Sequence, residues 1–275
     1  MPESQSKQTR RTLLRGATLA LAGGLAGCTS IMDSDGSSPK SNQTSSPSGT
    51  TSTGTSMPGT ATEAPSDGPE GSFPFMHSAT GTTKFDVKLD QSPVMGSNDA
   101  PVDLYYWSDY LCPFCQTFAM KIHPQIAKSA IADGTLRVVF LQLPNIGENS
   151  FPAALMAKCV WRQVADDDPD LFWKWHHAVF EQQGEEGSGW ADIKNLYKIT
   201  EDVGIDTDAI TTCIENRQDK IRKDIKAEVT VADRENIKGT PAFIFYNRKT
   251  GTSKKLAGAQ PYATFKQAIQ TVKNG

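Results

Sequence analysis

Residues 102–122 read VDLYYWSDYLCPFCQTFAMKI, and their interpretation decides the fold. Val102 to Trp107 is dense in β-branched and aromatic side chains, the composition of a buried strand. Past it, Cys112 precedes Pro113, which fits a first helical turn because no N–H is needed there. Phe114, Phe118 and Ile122 then recur at helical spacing. The pair Cys112/Cys115 therefore sits at a strand-to-helix junction.

Outward from this junction, Pro124 is expected to kink the helix and Gly134 to end it, and Leu136 to Leu143 gives a second strand. Residues 150–236 carry helical patterns, with breaks at 166–170, 184–189 and 204–207. Strand character returns at Ala242 to Tyr246 and, after a turn at Thr250-Gly251, at Ser253 to Ala257; a last helix spans about Pro261 to Lys273. The expected fold class is α/β: a thioredoxin-type arrangement with a helical insertion, about 145–236, between an N-terminal β-α-β part and a C-terminal β-β-α part. The mixed charges of 219–238 are expected on the solvated face of a helix.

A thiol at a helix start faces unpaired N–H groups and the positive end of the dipole, which favour its thiolate. Cys112 is thus the expected nucleophile, with Cys115 one turn deeper to close a disulfide with it or to resolve a mixed disulfide. No separate cofactor is needed, because the disulfide is itself the redox group. Zinc, by contrast, needs four ligands, and the remaining cysteines, Cys28, Cys159 and Cys213, are single. The rival class is a binding module holding copper or zinc on the same two thiols; a redox-silent surface lipoprotein is a third.

The rest of the chain speaks to location. All 23 aromatic residues lie at Phe73 or beyond, and 29 of the 42 residues from 29 to 70 are Ser, Thr, Gly or Pro. Such a stretch has too little apolar side chain to offset the entropy of ordering it, and reads as a tether spanning roughly 35 to 40 Å. Ahead of it, Arg10-Arg11 and the short apolar run from Ala17 to Ala26 read as a twin-arginine export signal. Leu25-Ala26-Gly27-Cys28 looks like a lipobox, so the expectation is a signal over 1–27, a lipidated Cys28 opening a tether over 28–72, and one folded domain over 73–275. Lipid chains on Cys28 would hold the domain at the outer face of a membrane. Loss of 1–27 leaves 24 Lys and Arg against 30 Asp and Glu, a net charge of about −6. No basic patch interleaved with aromatics points to nucleic acid.

Three stretches carry a resemblance. SPVMGSNDAPVDLYYWSDYLCPFC (92–115), FWKWHHAVFEQQ (172–183) and IKGTPAFIFYN (237–247) are similar to the DsbA-like thioredoxin family of exported thiol-disulfide oxidoreductases. The resemblance covers about residues 85 to 272. It implies a catalytic Cys112/Cys115 pair flanking Pro113 and Phe114, and a cis Thr240-Pro241 bond whose loop faces the pair and seats the substrate chain. It also implies exported protein thiols or disulfides as substrates. A membrane redox partner would reset the pair: a quinone-linked oxidase if the protein makes disulfides, a thiol-relay reductase if it breaks them. Two positions depart from the family: Tyr106 stands where a buried acidic residue is common, and Phe114 where the most oxidising members have His. Cys112 is therefore expected to be acidified, less than in those members.

Cys159 and Cys213 fall on the apolar faces of their helices. Buried free thiols are one reading. Export, and a bridge in some relatives, favour a structural Cys159–Cys213 disulfide. His176 and His177, one apart on a helix, cannot share a metal and are expected at the core edge. Asp109 has two readings, tuning the thiol or capping the loop.

Overall fold

The computed structural model describes residues 76–275. The expected signal, Cys28 and the tether lie outside them. Strands β1 (Met76–His77), β2 (Val94–Met95), β3 (Val102–Ser108), β4 (Leu136–Gln142), β5 (Ala242–Asn247) and β6 (Ser253–Ala257) form one six-stranded sheet in the order β1-β2-β4-β3-β5-β6. The central β3 and β4 run parallel, and every other pairing is antiparallel. β3 is buried along its whole length because both faces are covered. Leu104 and Tyr106 enter one core, and Tyr105 and Trp107 the other. The two-residue strands β1 and β2 have no counterpart in the sequence pattern, being too short to show an alternation.

The connection from β3 to β4 alternates α-helical and π-helical turns. It runs through α1 (Pro113–Thr117), a π-turn over Phe118–Ile122, α2 (His123–Ile126) and a second π-turn over Ala127–Ile131. Pro124 lacks an N–H for the regular ladder, and the widened turn before it absorbs the change of register. Gly134, at φ +73°, then ends the helical run. Four helices follow as the insertion, α3 (Ser150–Val164), α4 (Asp170–Glu181), α5 (Ile193–Asp202) and α6 (Thr207–Arg234), and α7 (Tyr262–Asn274) closes the chain. Asp206 caps α6 by accepting the Asp208 and Ala209 amides at 2.9 and 3.3 Å.

Two features tie the insertion down. Cys159 of α3 and Cys213 of α6 are joined by a disulfide with Cα atoms 5.8 Å apart; Cys159 is buried and Cys213 half-buried. The second is Glu228. The mixed-charge stretch of α6 is not uniformly solvated, because Glu228 turns inward, is 5% exposed, and pairs with the buried Lys158 of α3. Glu228 also accepts the Gln142 amide at 2.8 Å and the Ser92 hydroxyl at 3.3 Å. Its own backbone carbonyl takes the Trp107 indole N–H at 3.1 Å, and Lys158 donates further to Gln91 O at 2.9 Å. A buried carboxylate left without these donors would cost several kcal/mol, on the order of 3–5.

Candidate active site

Cys112 is the N-cap of α1, in extended conformation, and its carbonyl accepts the amides of Cys115 and Gln116 at 3.0 and 3.1 Å. The pairing of β5 with β3 sets Ala242 opposite Trp107, which carries the preceding residues Thr240 and Pro241 to the end of β3. There the Cys112 thiol donates to the Thr240 carbonyl at 3.2 Å, and the Thr240-Pro241 peptide is cis. Both cysteines are free thiols. Cys115 is wholly buried, Cys112 is 2% exposed, and between them Phe114 projects into solvent at 62%.

The two sulfurs differ in acidity. Cys112 is lowered to about 6, first by the hydrogen bond from the Cys115 thiol; burial opposes this, and the Thr240 hydroxyl and the amides of Cys115 and Phe114 add to it. In the thiol state Thr240 Oγ1 is buried without a partner, and an ionised Cys112 gives it an acceptor. Cys115 is pushed well above an ordinary thiol, first by burial and then by its neighbour Cys112. The helix-start amides expected from the sequence thus act, but behind the Cys115 thiol; α1 is only five residues long.

Of the two readings of Asp109, capping describes its contacts. Its Oδ1 accepts the Leu111 amide at 2.9 Å, and its Oδ2 accepts those of Asn145 and Ile146 at 2.8 and 3.0 Å. Two glutamines with no sequence signal fasten this loop to the insertion. Gln183 donates to the carbonyls of Tyr110 and Cys112 at 2.6 and 3.2 Å, and Gln116 donates to Phe180 O at 2.7 Å. His176 lies deeper than the core edge, with Nδ1 2.9 Å from the Tyr110 hydroxyl. His123 packs among Phe118, Phe140 and Trp173 with both ring nitrogens unpartnered, and burial lowers it to about 3. Among the described residues no group of three or more His, Cys, Asp or Glu is placed to share a metal.

A parallel strand pair at the centre, a cysteine pair opening the helix after it and a cis-proline loop across from the sulfurs define a thioredoxin fold. The chain belongs to the thioredoxin family, whose model matches residues 88–271. It is 38% identical over 98 residues to disulfide bond formation protein D of Bacillus subtilis, a stretch covering 36% of this chain and 42% of that protein. It is 25% identical over 168 residues to the probable disulfide bond formation protein D of Bacillus cereus, covering 59% of this chain and 72% of that one. The chain thus spans less than half the length of the first of these relatives. The structure of oxidised BdbD from Bacillus subtilis superposes with a TM-score of 0.59 at 24% identity, over 72% of this chain and 100% of that one. Wolbachia pipientis alpha-DsbA1 does so with a TM-score of 0.58 at 20% identity, over 68% and 94%. The shared feature is the fold, with the helical insertion in place.

Proposed function

We propose that the protein is an extracytoplasmic thiol-disulfide oxidoreductase that exchanges disulfides with exported proteins through Cys112 and Cys115. The observation that carries the reading is the division between the sulfurs: one acidified at the mouth of the site, one held neutral beneath it. Cys112 forms the mixed disulfide with a client, and Cys115 attacks Cys112 to release it. The Thr240 backbone, beside the Cys112 sulfur, offers an edge to an extended client segment. Pro113 and exposed Phe114 form the rim.

Similarity to disulfide bond formation proteins supports this activity. On this reading Arg10-Arg11 belongs to an export signal and Cys28 carries lipid, so that the domain works outside the cell membrane, tethered to it, with a quinone-linked oxidase or a thiol-relay reductase as its partner. Among the described residues no helix is long and apolar enough to cross a membrane. Among the described residues, a copper- or zinc-holding lipoprotein would have the two thiols without a third His, Cys, Asp or Glu beside them.

The test is trapping in cells. Cys115→Ala should accumulate client proteins covalently bound at Cys112, and Cys112→Ala should accumulate few; equal capture by both variants refutes the proposal. The reduction potential of the pair then gives the direction of electron flow, since about 30 mV shifts the two-electron equilibrium tenfold.

A further inference from the structure

Charge is divided sharply between two parts of the domain. Residues 110–132, from the cysteine loop through α1 to the second π-turn, and residues 236–275, which form β5, β6 and α7, together hold nine Lys and Arg and no Asp or Glu. The insertion, residues 145–235, holds 11 Lys and Arg against 19 Asp and Glu. The two cationic segments meet in space. Phe265 of α7 packs on Phe118 at 5.3 Å, and the Tyr262 hydroxyl lies 2.9 Å from Ser129 Oγ. Outside these contacts Lys121 and Lys128 are exposed on the first segment, and Lys266 and Lys273 on α7. Lys254 stands in register with Phe245, whose ring packs on Phe265, so it points to the α7 side of the sheet. Lys238 and Lys255 are paired with Asp233 and Glu235 at the end of α6. Among the described residues Lys121, Lys254 and Lys266 have no carboxylate partner.

We propose that the layer formed by α1, the π-turns after it and α7 is a docking face for an anionic lipid surface, which turns the insertion away from the membrane. The inference rests on the membrane tethering proposed above. A tether over 28–72, spanning roughly 35 to 40 Å, keeps the domain within reach of the headgroups. Each lysine near an anionic leaflet is attracted to it, and the acidic insertion is repelled. Lysines spread over a helical layer suit a diffuse sheet of negative charge better than one small anion, which would need them gathered in a pocket. Opposite charges on two parts of one domain also set an orientation, not only an attachment. Cys112 caps the start of α1, so this orientation sets its thiol and the exposed Phe114 beside the membrane, where a redox partner embedded in the bilayer would meet them.

The experiment is lysine acetylation footprinting of the full chain carrying Cys28→Ser, which leaves no site for lipid. It is mixed with vesicles of phosphatidylcholine alone or of phosphatidylcholine with phosphatidylglycerol. With the anionic vesicles, acetylation of Lys121, Lys254 and Lys266 should slow about tenfold while Lys174 and Lys194 of the insertion keep their rates, and high salt should abolish the difference. Lys121→Glu/Lys254→Glu/Lys266→Glu should weaken co-sedimentation with these vesicles severalfold, and Lys174→Glu/Lys194→Glu/Lys226→Glu should not. The footprint carries the test alone if the first triple variant does not fold. Lysines of the face left unprotected by anionic vesicles, or protected equally by neutral ones, overturn the proposal; so does attachment through residues 1–27 that leaves the face labelled. Protection that grows with protein concentration in the absence of vesicles gives the face to the acidic insertion of a second copy and also overturns it. The tethering is read separately, from the mass of the Cys28 peptide taken from cell membranes: an unmodified Cys28 refutes the tether, while the footprint still decides the face.

Discussion

Replacing Cys115 by Ala should raise the Cys112 pKa more than any other single change at the site, because the Cys115 thiol is the largest of the groups that lower it. At a pKa of about 6, Cys112 is about 90% thiolate at pH 7. A hydrogen bond to a charged acceptor contributes about 1.5–3 kcal/mol, and its loss moves a pKa by about one to two units. The variant should therefore titrate between about 7 and 8, leaving between about half and a tenth of the sulfur ionised at neutrality. Burial also opposes the charge, and the smaller alanine admits some water, which favours the lower end of that range. Alkylation rate at one pH is a poor readout, since a thiolate of higher pKa is intrinsically more nucleophilic and offsets part of the lost population. The midpoint of the pH–alkylation curve, or of the ultraviolet thiolate absorbance, is the measurement. A midpoint still near 6 in Cys115→Ala would refute the reasoning and return the acidity to the backbone amides. Thr240→Val should give a shift in the same direction, but smaller.

Further outcomes follow from the same geometry. The bridge Cys159–Cys213 closes a loop of 54 residues, so Cys159→Ala/Cys213→Ala should lose about 4 kcal/mol, a fall in melting temperature of roughly 8–16 °C for a domain of this size, with the Cys112/Cys115 potential nearly unchanged. Cys213 is half-buried rather than sealed, so reductant titration followed by mass mapping should find this bridge opening after the active pair but without prior unfolding. The reduced protein should grow more stable from pH 6 to pH 9: the folded Cys112 pKa, about 6, lies below its unfolded value near 9. Its stabilisation is therefore complete above the unfolded pKa and lost as pH falls through the folded one. Chemical denaturation across that window should show the slope, and Cys112→Ser should flatten it. His123, neutral down to about pH 3 when folded, weakens the fold as pH drops below its unfolded pKa of about 6.5. His123→Phe should raise the melting temperature, and by more at pH 5 than at pH 7; a fall at both pH values would mean that the ring nitrogens are satisfied.

Much of the site could be read from residues 102–122 because its determinants are local. The apolar run and the proline after Cys112 are short-range signals, and β3 and α1 lie where they point; of the helically spaced apolar residues, Phe118 and Ile122 are buried in the π-turn that follows α1, while Phe114 is exposed. Glu228 shows the opposite case. It lies on the buried face of α6, between Ile225 and Val231, where a hydrophobe would be expected, and only the approach of Lys158, 70 residues earlier, explains a carboxyl group there. Gln183 and Gln116 are ordinary helix-end polar residues until the fold brings carbonyls to them. Tyr106 and Ser108 read as strand residues, and their hydroxyl contact depends on side-chain direction within a covered sheet. The cis state of Thr240-Pro241 has no local signature; a sequence pattern shared with a family supplied that expectation.

The Lys158–Glu228 pair also bears on how this architecture can be altered. Excising α3 to α6 to obtain a minimal domain would strip the partners from the Gln142 amide, the Trp107 indole and the Gln91 carbonyl together. Gln142 stands in register with Ser108, so the loss would fall on the strand ends that carry the cysteine loop. The insertion is therefore not a detachable lid. Trimming or transplanting the domain would require a replacement for the sheet's polar contacts as well as for its apolar cover, and homologous chimaeras should tolerate junctions only where residues 91–92, 107, 142, 158 and 228 come from one parent.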